Sequence, residues 1–237
     1  THRHTLFPYT TLFRSNGHSQ QSVLVRAVSN TLAVMTEGTL GVAGAAGVSG
    51  SFNIGIISNI TKAYVGGLVN AKQDIIVSAL SKEDLDIIIA NASGGVLGAG
   101  AAIGVGVFDG ETLAYVFNKA DLKAGRDIII HANNDGRLNI DALSAGGGVA
   151  GVSGAIVAGV ITHITKAYVE NAGSLAEAAA LYAARNIEVK GSSCVDINGI
   201  AVSGAASGYA GVAGAIVIKV VGTTTQAYIG EYARINQ

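Results

Sequence analysis

Thr61-Lys62-Ala63-Tyr64-Val65 is one of four copies of a single phrase. The others are Thr112–Val116, Thr165–Val169 and Thr225–Ile229. From tyrosine to tyrosine (Tyr64, Tyr115, Tyr168, Tyr228) the steps are 51, 53 and 60 residues. Each copy follows a long run of Gly, Ala, Val and Ser. Self-similarity at a fixed period is the mark of stacked repeats, each burying its neighbour's apolar face, and not of one globular core.

A second motif keeps the same step. Aliphatic strand signals read SVLVRA at Ser22–Ala27, DIIVSA at Asp74–Ala79, DIIIHA at Asp127–Ala132 and NIEVKG at Asn186–Gly191, with starts 52, 53 and 59 residues apart. The first signal has no tyrosine phrase before it, and the last tyrosine phrase has no signal after it. Residues 16–237 therefore read as a fragment of a longer array with a repeat of about 51–60 residues, without visible capping repeats. The third copy is longer, and its extra material is SLAEAAALYAAR, residues 174–185. Ser174 and Glu177 form a capping box, alanines follow, and Arg185 suits a C-terminus, so a short inserted helix is expected there.

The stretch Thr5–Ser15, TLFPYTTLFRS, resembles the in-frame translation of a sequencing adapter. Residues 1–15 are accordingly read as non-native and set aside. The segment carries the only proline, Pro8, and two arginines. Without it the balance is 13 basic against 16 acidic residues, or −3. That mildly acidic balance argues against nucleic acid as a partner.

Four runs carry no charge: Gly38–Thr61, Ala92–Phe108, Ala145–His163 and Gly199–Ile218. Their length would suit membrane helices, and Gly147–Gly151 has the small-xxx-small spacing such helices use. A membrane-embedded helical or pore-forming segment is therefore the competing reading. Strands are favoured by the scarcity of Leu and Phe, by β-branched Ile54, Ile56, Ile57 and Ile60, and by the period-two run Ile103-Gly104-Val105-Gly106-Val107.

The same period assigns faces. His163, Thr165, Ala167 and Val169 share one side of a strand; Ile164, Lys166, Tyr168 and Glu170 share the other. The small residues belong inward. Lys62, Lys166 and the four tyrosines then face outward, as an intermittent row of surface candidates. A parallel β-solenoid tolerates this much Gly, Ala and Ser, with three sheets around a thin core. Asn91, Asn133-Asn134 and Gly136 are expected at turns. Ordinary strand lengths suggest two or three coils per repeat.

Chemistry is weakly signalled. Gly146–Gly151 fits GxGxxG, but without a βαβ context. GVSG at Gly47–Gly50 and at Gly151–Gly154 is no nucleophile elbow. His131 and His163 lack partners at metal-ligand spacing. Glu83, Asp84 and Asp86 beside Lys82 read as a solvated turn rather than a calcium site. Cys194, the single cysteine, reads as a buried or half-buried structural thiol. No carboxylate pair recurs with the repeat. No catalytic residue, cofactor or metal ligand is assigned, and an enzyme is not expected.

The alternating runs, the phrase Leu122-Lys123-Ala124-Gly125-Arg126-Asp127-Ile128-Ile129-Ile130 and the Lys-Ala-Tyr-Val segments resemble the large filamentous haemagglutinin and leukotoxin-like exoproteins of Gram-negative bacteria. The resemblance covers nearly all of Gln21–Gln237. It implies an all-β, right-handed parallel β-helix rod, exported by a two-partner or autotransporter route with an outer-membrane secretion partner. It further implies display on the cell surface and adhesion to a receptor on host or neighbouring cells.

Overall fold

A computed structural model describes Tyr9–Thr10 and residues 20–236. The rest of the adapter-like segment lies outside the described residues. Tyr9–Thr10 (β1) pairs antiparallel with the next strand.

The period-two runs do form strands, and the strands are unusually long. Val23–Val42 (β2) and Ala46–Val65 (β3) have 20 residues each, followed by the short Leu68–Ala71 (β4). Ile75–Gly94 (β5), Leu97–Val116 (β6) and Asp121–Ala124 (β7) repeat the pattern. In the third and fourth copies the two long strands run on as Asp127–Val169 (β8) and Asn186–Ile229 (β10), followed by Ala180–Ala183 (β9) and Arg234–Ile235 (β11). Strands of about 5–6 residues are usual. Here no proline interrupts the alternation, and each long strand pairs along its length with its equivalent one repeat away.

Pairing is parallel and in register from repeat to repeat. Val23 lies opposite Ile75, Ile75 opposite Ile128, and Ile128 opposite Ile187. Tyr64, Tyr115, Tyr168 and Tyr228 align in the same way. One step across the sheet therefore equals one whole repeat, not half or a third of one. The expectation of two or three coils per repeat assumed ordinary strand lengths; 20-residue strands use up the repeat in one circuit.

Within a repeat the second long strand folds back over the first. Gly41 lies against Val48, and Thr39 Oγ1 meets Ser51 Oγ at 2.7 Å. Two layers of parallel strands thus pack face to face. The four-stranded sheet of short strands closes the end opposite the turn, giving a nearly closed, barrel-like cross-section. In β8 the turn is at Gly148, whose φ of 151° is a conformation that side chains resist.

The interior is banded. At the three-sided end Ile75, Val77, Ile128 and Ile130 pack on Ala114, Ala167, Leu122 and Leu181. Nearer the turn a second apolar cluster holds Leu85, Ile87, Leu138 and Ile140 against Phe108, Val157 and Ile161. Glycines explain how thin this second band is. Gly55, Gly106 and Gly159 align inward, and a Cβ on Gly106 would lie 2.7 Å from Leu138 Cδ1. On Gly159 it would lie 2.7 Å from Ile197 Cδ1. Large side chains of the first layer therefore fill hollows in the second, and in Ile103–Val107 the glycines point inward and the aliphatics outward.

Several expectations are corrected. The described residues contain no helix: residues 175–177 form a turn, and Ala180–Ala183 is a strand. Tertiary packing overrides alanine's helix propensity, because Ala178, Ala179, Ala180 and Leu181 are all buried in the three-sided core. The insertion itself is smaller than expected. Val169 is 53 residues beyond Val116 while Ala180 is 59 beyond Asp121, so the 6 extra residues lie between Val169 and Ala180.

Asn91, Asn133, Asn134 and Gly136 lie within strands, not turns. Asn91 is buried and spends its amide on neighbours, donating to Thr39 Oγ1 at 2.8 Å and accepting from Ser49 Oγ at 3.0 Å. The acidic trio is not a turn either. It lies mid-strand in β5, where the pleat sends Glu83 inward and Asp84 and Asp86 outward. Cys194 is exposed, because its parity places it on the outer face of the first layer. The charge-free runs are likewise strands and their turns. Among the described residues no helix is long and apolar enough to cross a membrane.

Candidate functional site: a tyrosine ladder beside a buried polar band

The outward parity of the Thr-x-Ala-Tyr phrase brings all four tyrosines onto the second layer's outer face, one per strand. Because the repeats stack in single steps, the row is continuous. Ring centroids are 5.4 Å apart for Tyr64–Tyr115, 5.0 Å for Tyr115–Tyr168 and 5.2 Å for Tyr168–Tyr228, all stacked. Phe117 closes one side, edge-on to Tyr64 and Tyr115 at 5.1 Å each. The expected intermittent row is thereby corrected to a ladder.

Stacking decides what the ladder can offer. Each inner ring spends both faces on its neighbours, so ring edges and hydroxyls remain for contact. Burial between rings pushes the Tyr168 phenol up to about 12, with smaller contributions from Tyr115 and Tyr228. Burial also raises Tyr115, aided by Tyr64 and Glu170. The Tyr115 and Tyr168 hydroxyls are thus held as neutral donors and acceptors, not as nucleophiles.

The two lysines separate in role. Lys62 reaches one repeat on to Glu111, Nζ to Oε2 3.1 Å. Lys166 shares its column, but Leu113 stands between them. Both flank the ladder two residues before its tyrosines.

Behind this face, between the two apolar clusters, lies a band of buried polar groups that the linear pattern did not reveal. Glu83 accepts from Ser81 Oγ at 2.7 Å and from Asn59 Nδ2 at 2.9 Å. His163 shares a hydrogen bond with Thr112, Nε2 to Oγ1 3.0 Å, and its Nδ1 lies 3.6 Å from Glu83 Oε2. Both side chains are almost fully buried. Burial lowers the His163 pKa below the ordinary imidazole value, outweighing the opposing pull of Glu83. Thr61 Oγ1, Thr165 Oγ1 and Asn134 Oδ1 are buried without a partner among the described residues. The signal was available in principle: Asn59, Thr61, His163 and Thr165 all share the inward parity.

A third recurrent feature lies at the strand starts. Arg126 clamps Asp74, and Arg185 clamps Asp127, Nε to Oδ1 3.1 Å. Asp127 also accepts the Asn186 backbone N–H at 3.1 Å. The signal for this ladder was a basic residue directly before Asp or Asn in two successive copies.

Gly146–Gly151 is the turn between the two long arms of β8, and its glycines lie against the backbone of Val96 and Val152. His131 is on the first layer's outer face, Nε2 2.9 Å from Glu188 Oε1. Among the described residues no group of three or more His, Cys, Asp or Glu side chains is placed to hold a metal ion. What the geometry can do is stack, extend and present a surface.

Set against family models, curated proteins and solved structures, the chain matches none.

Proposed function

We propose that this chain is a structural segment of a right-handed parallel β-helix rod, belonging to a secreted, surface-displayed bacterial adhesin of the filamentous haemagglutinin and leukotoxin-like kind. The observation that carries the reading is the register: residue pairs with residue one repeat away through all four copies. Such a stack grows by one strand spacing of about 4.8 Å per repeat and needs no other core. Its work is to hold surface at a distance, with the stacked tyrosines and Lys62 and Lys166 as surface candidates toward a receptor on host or neighbouring cells. The full-length protein would need an outer-membrane secretion partner.

Antibodies raised against the purified chain test display and adhesion together. Labelling of intact, unpermeabilised source cells, with blocked attachment, is expected. Labelling only after permeabilisation overturns the proposal.

A further inference from the structure

The two outer faces of the stack differ in kind. The first layer's outer face carries Arg26, Lys82, Asp84, Asp135, Arg137 and Asp141, all at outward parity. The second layer's outer face carries no charge from Val48 to Ile56 or at the matching places in the next three strands. At Phe52 the partners one, two and three repeats on are Ile103, Ile156 and Ile216; at Ile56 they are Val107, Val160 and Val220. Phe52 is 57 % exposed, Ile56 66 % and Ile216 55 %. Every other outward position between Val48 and Ile56, and at the same places in the next three strands, is Val, Ile, Ala or Gly.

We infer that this face is buried against the same face of a second copy of the chain. Nine residues of strand length by four strand spacings give a planar footprint of roughly 600 Å². That is the upper end of what a monomer exposes in one patch. Counted on both partners that is about 1,200 Å², the lower end of a specific interface, and Asp109 and Glu111 bound it on the side toward the tyrosines. The relief is self-complementary. The Phe52 column is a ridge, and the neighbouring column, Gly50, Ala101, Gly154 and Gly214, is a furrow. A two-fold axis in the plane of the interface sets each ridge in the partner's furrow, the isologous arrangement of a homodimer. A lipid surface fits less well: the chain has no Trp, Asp109 and Glu111 border the patch, and Lys219 at its β10 edge is turned back to the Ile197 carbonyl.

Sedimentation equilibrium of the full chain, with Val107→Glu and Ile156→Glu variants, tests this. The wild type is expected to dimerise, and either variant to weaken the dimer at least tenfold, with an unchanged β-rich circular dichroism spectrum. Asn133→Glu, on the opposite face, leaves the dimer intact. Should the glutamate variants not fold, a nitroxide at Ala158→Cys in a Cys194→Ser background gives the answer. Dipolar broadening that dilution with unlabelled chain removes is expected; a freely mobile, unbroadened spectrum overturns the inference. It is equally overturned by a monomeric wild type, by a dimer that persists in both glutamate variants (edge-to-edge pairing through β10), or by a monomer that binds phosphatidylcholine vesicles.

Discussion

Arg126 reaches back one repeat and holds Asp74: Nε donates to Oδ1 at 2.7 Å, and a second guanidinium nitrogen contacts Oδ2. The next repeat does the same with Arg185 and Asp127. Each clamp ties the start of one long strand to the start of the next, so the ladder sets register where the three-sided core begins.

The clamp makes stability acid-sensitive. The Arg126 guanidinium holds the Asp74 carboxyl below the ordinary range, and Arg185 does so for Asp127. A depressed folded-state pKa contributes stability that is present above the unfolded value, about 3.9, and lost as pH falls through the folded value. Arg126→Gln is therefore expected to lower the denaturation midpoint at pH 6. Its deficit against wild type should shrink as pH falls below about 4. Denaturant titrations at both pH values check this; a constant deficit contradicts it.

The inward glycines are expected to be intolerant of bulk. Gly106→Val drives side-chain atoms into Leu138 and Ile140. Overpacking of this kind costs about 1–3 kcal/mol. Leu138→Ala opens the same space, so the double variant is expected to lose less than the sum of the two single losses. Strict additivity in urea unfolding would count against the ridge-in-hollow packing.

Tyr168 sits between two stacked neighbours. Its removal as Tyr168→Ala forfeits both contacts, at about 0.5–1.5 kcal/mol each. The raised phenol gives a second readout. Stability is complete below the unfolded tyrosine value near 10 and declines as pH rises through the folded value of about 12. Ultraviolet titration of the folded chain should show a late phenolate step that Tyr168→Phe removes.

His163 predicts an effect nearer neutrality. Burial keeps its imidazole neutral in the fold, while the unfolded chain takes up a proton below about 6.5. Stability therefore falls as pH drops from 7 toward 5.5. His163→Gln is expected to flatten that slope. A wild-type midpoint that does not move over this range would contradict the assignment.

The long-range plan was legible in the primary structure because two motifs kept one step and alternation marked the faces: Thr165, Ala167 and Val169 do point inward and Tyr168 outward. Four things were not legible. The number of circuits per repeat depends on where strands stop, and Asn91 or Asn134 reads as a turn residue until its inward hydrogen bonds are seen. The alanines after Ser174 have high helix propensity, and only the space beside Leu122 makes them a strand. The Glu83–His163 contact joins residues 80 positions apart across two layers. No local pattern carries such a contact. The tyrosine ladder was half visible: the outward row could be read, but its stacking follows from one circuit per repeat.

That single circuit is the central claim, and one distance tests it. Asn30 lies three strand steps from the native Cys194, through Lys82 and Asp135. With nitroxides on Asn30→Cys and Cys194, dipolar spectroscopy should report a backbone separation of about 14 Å, three spacings of about 4.8 Å. Two circuits per repeat would double it, so a separation of about 28 Å or more would contradict the account.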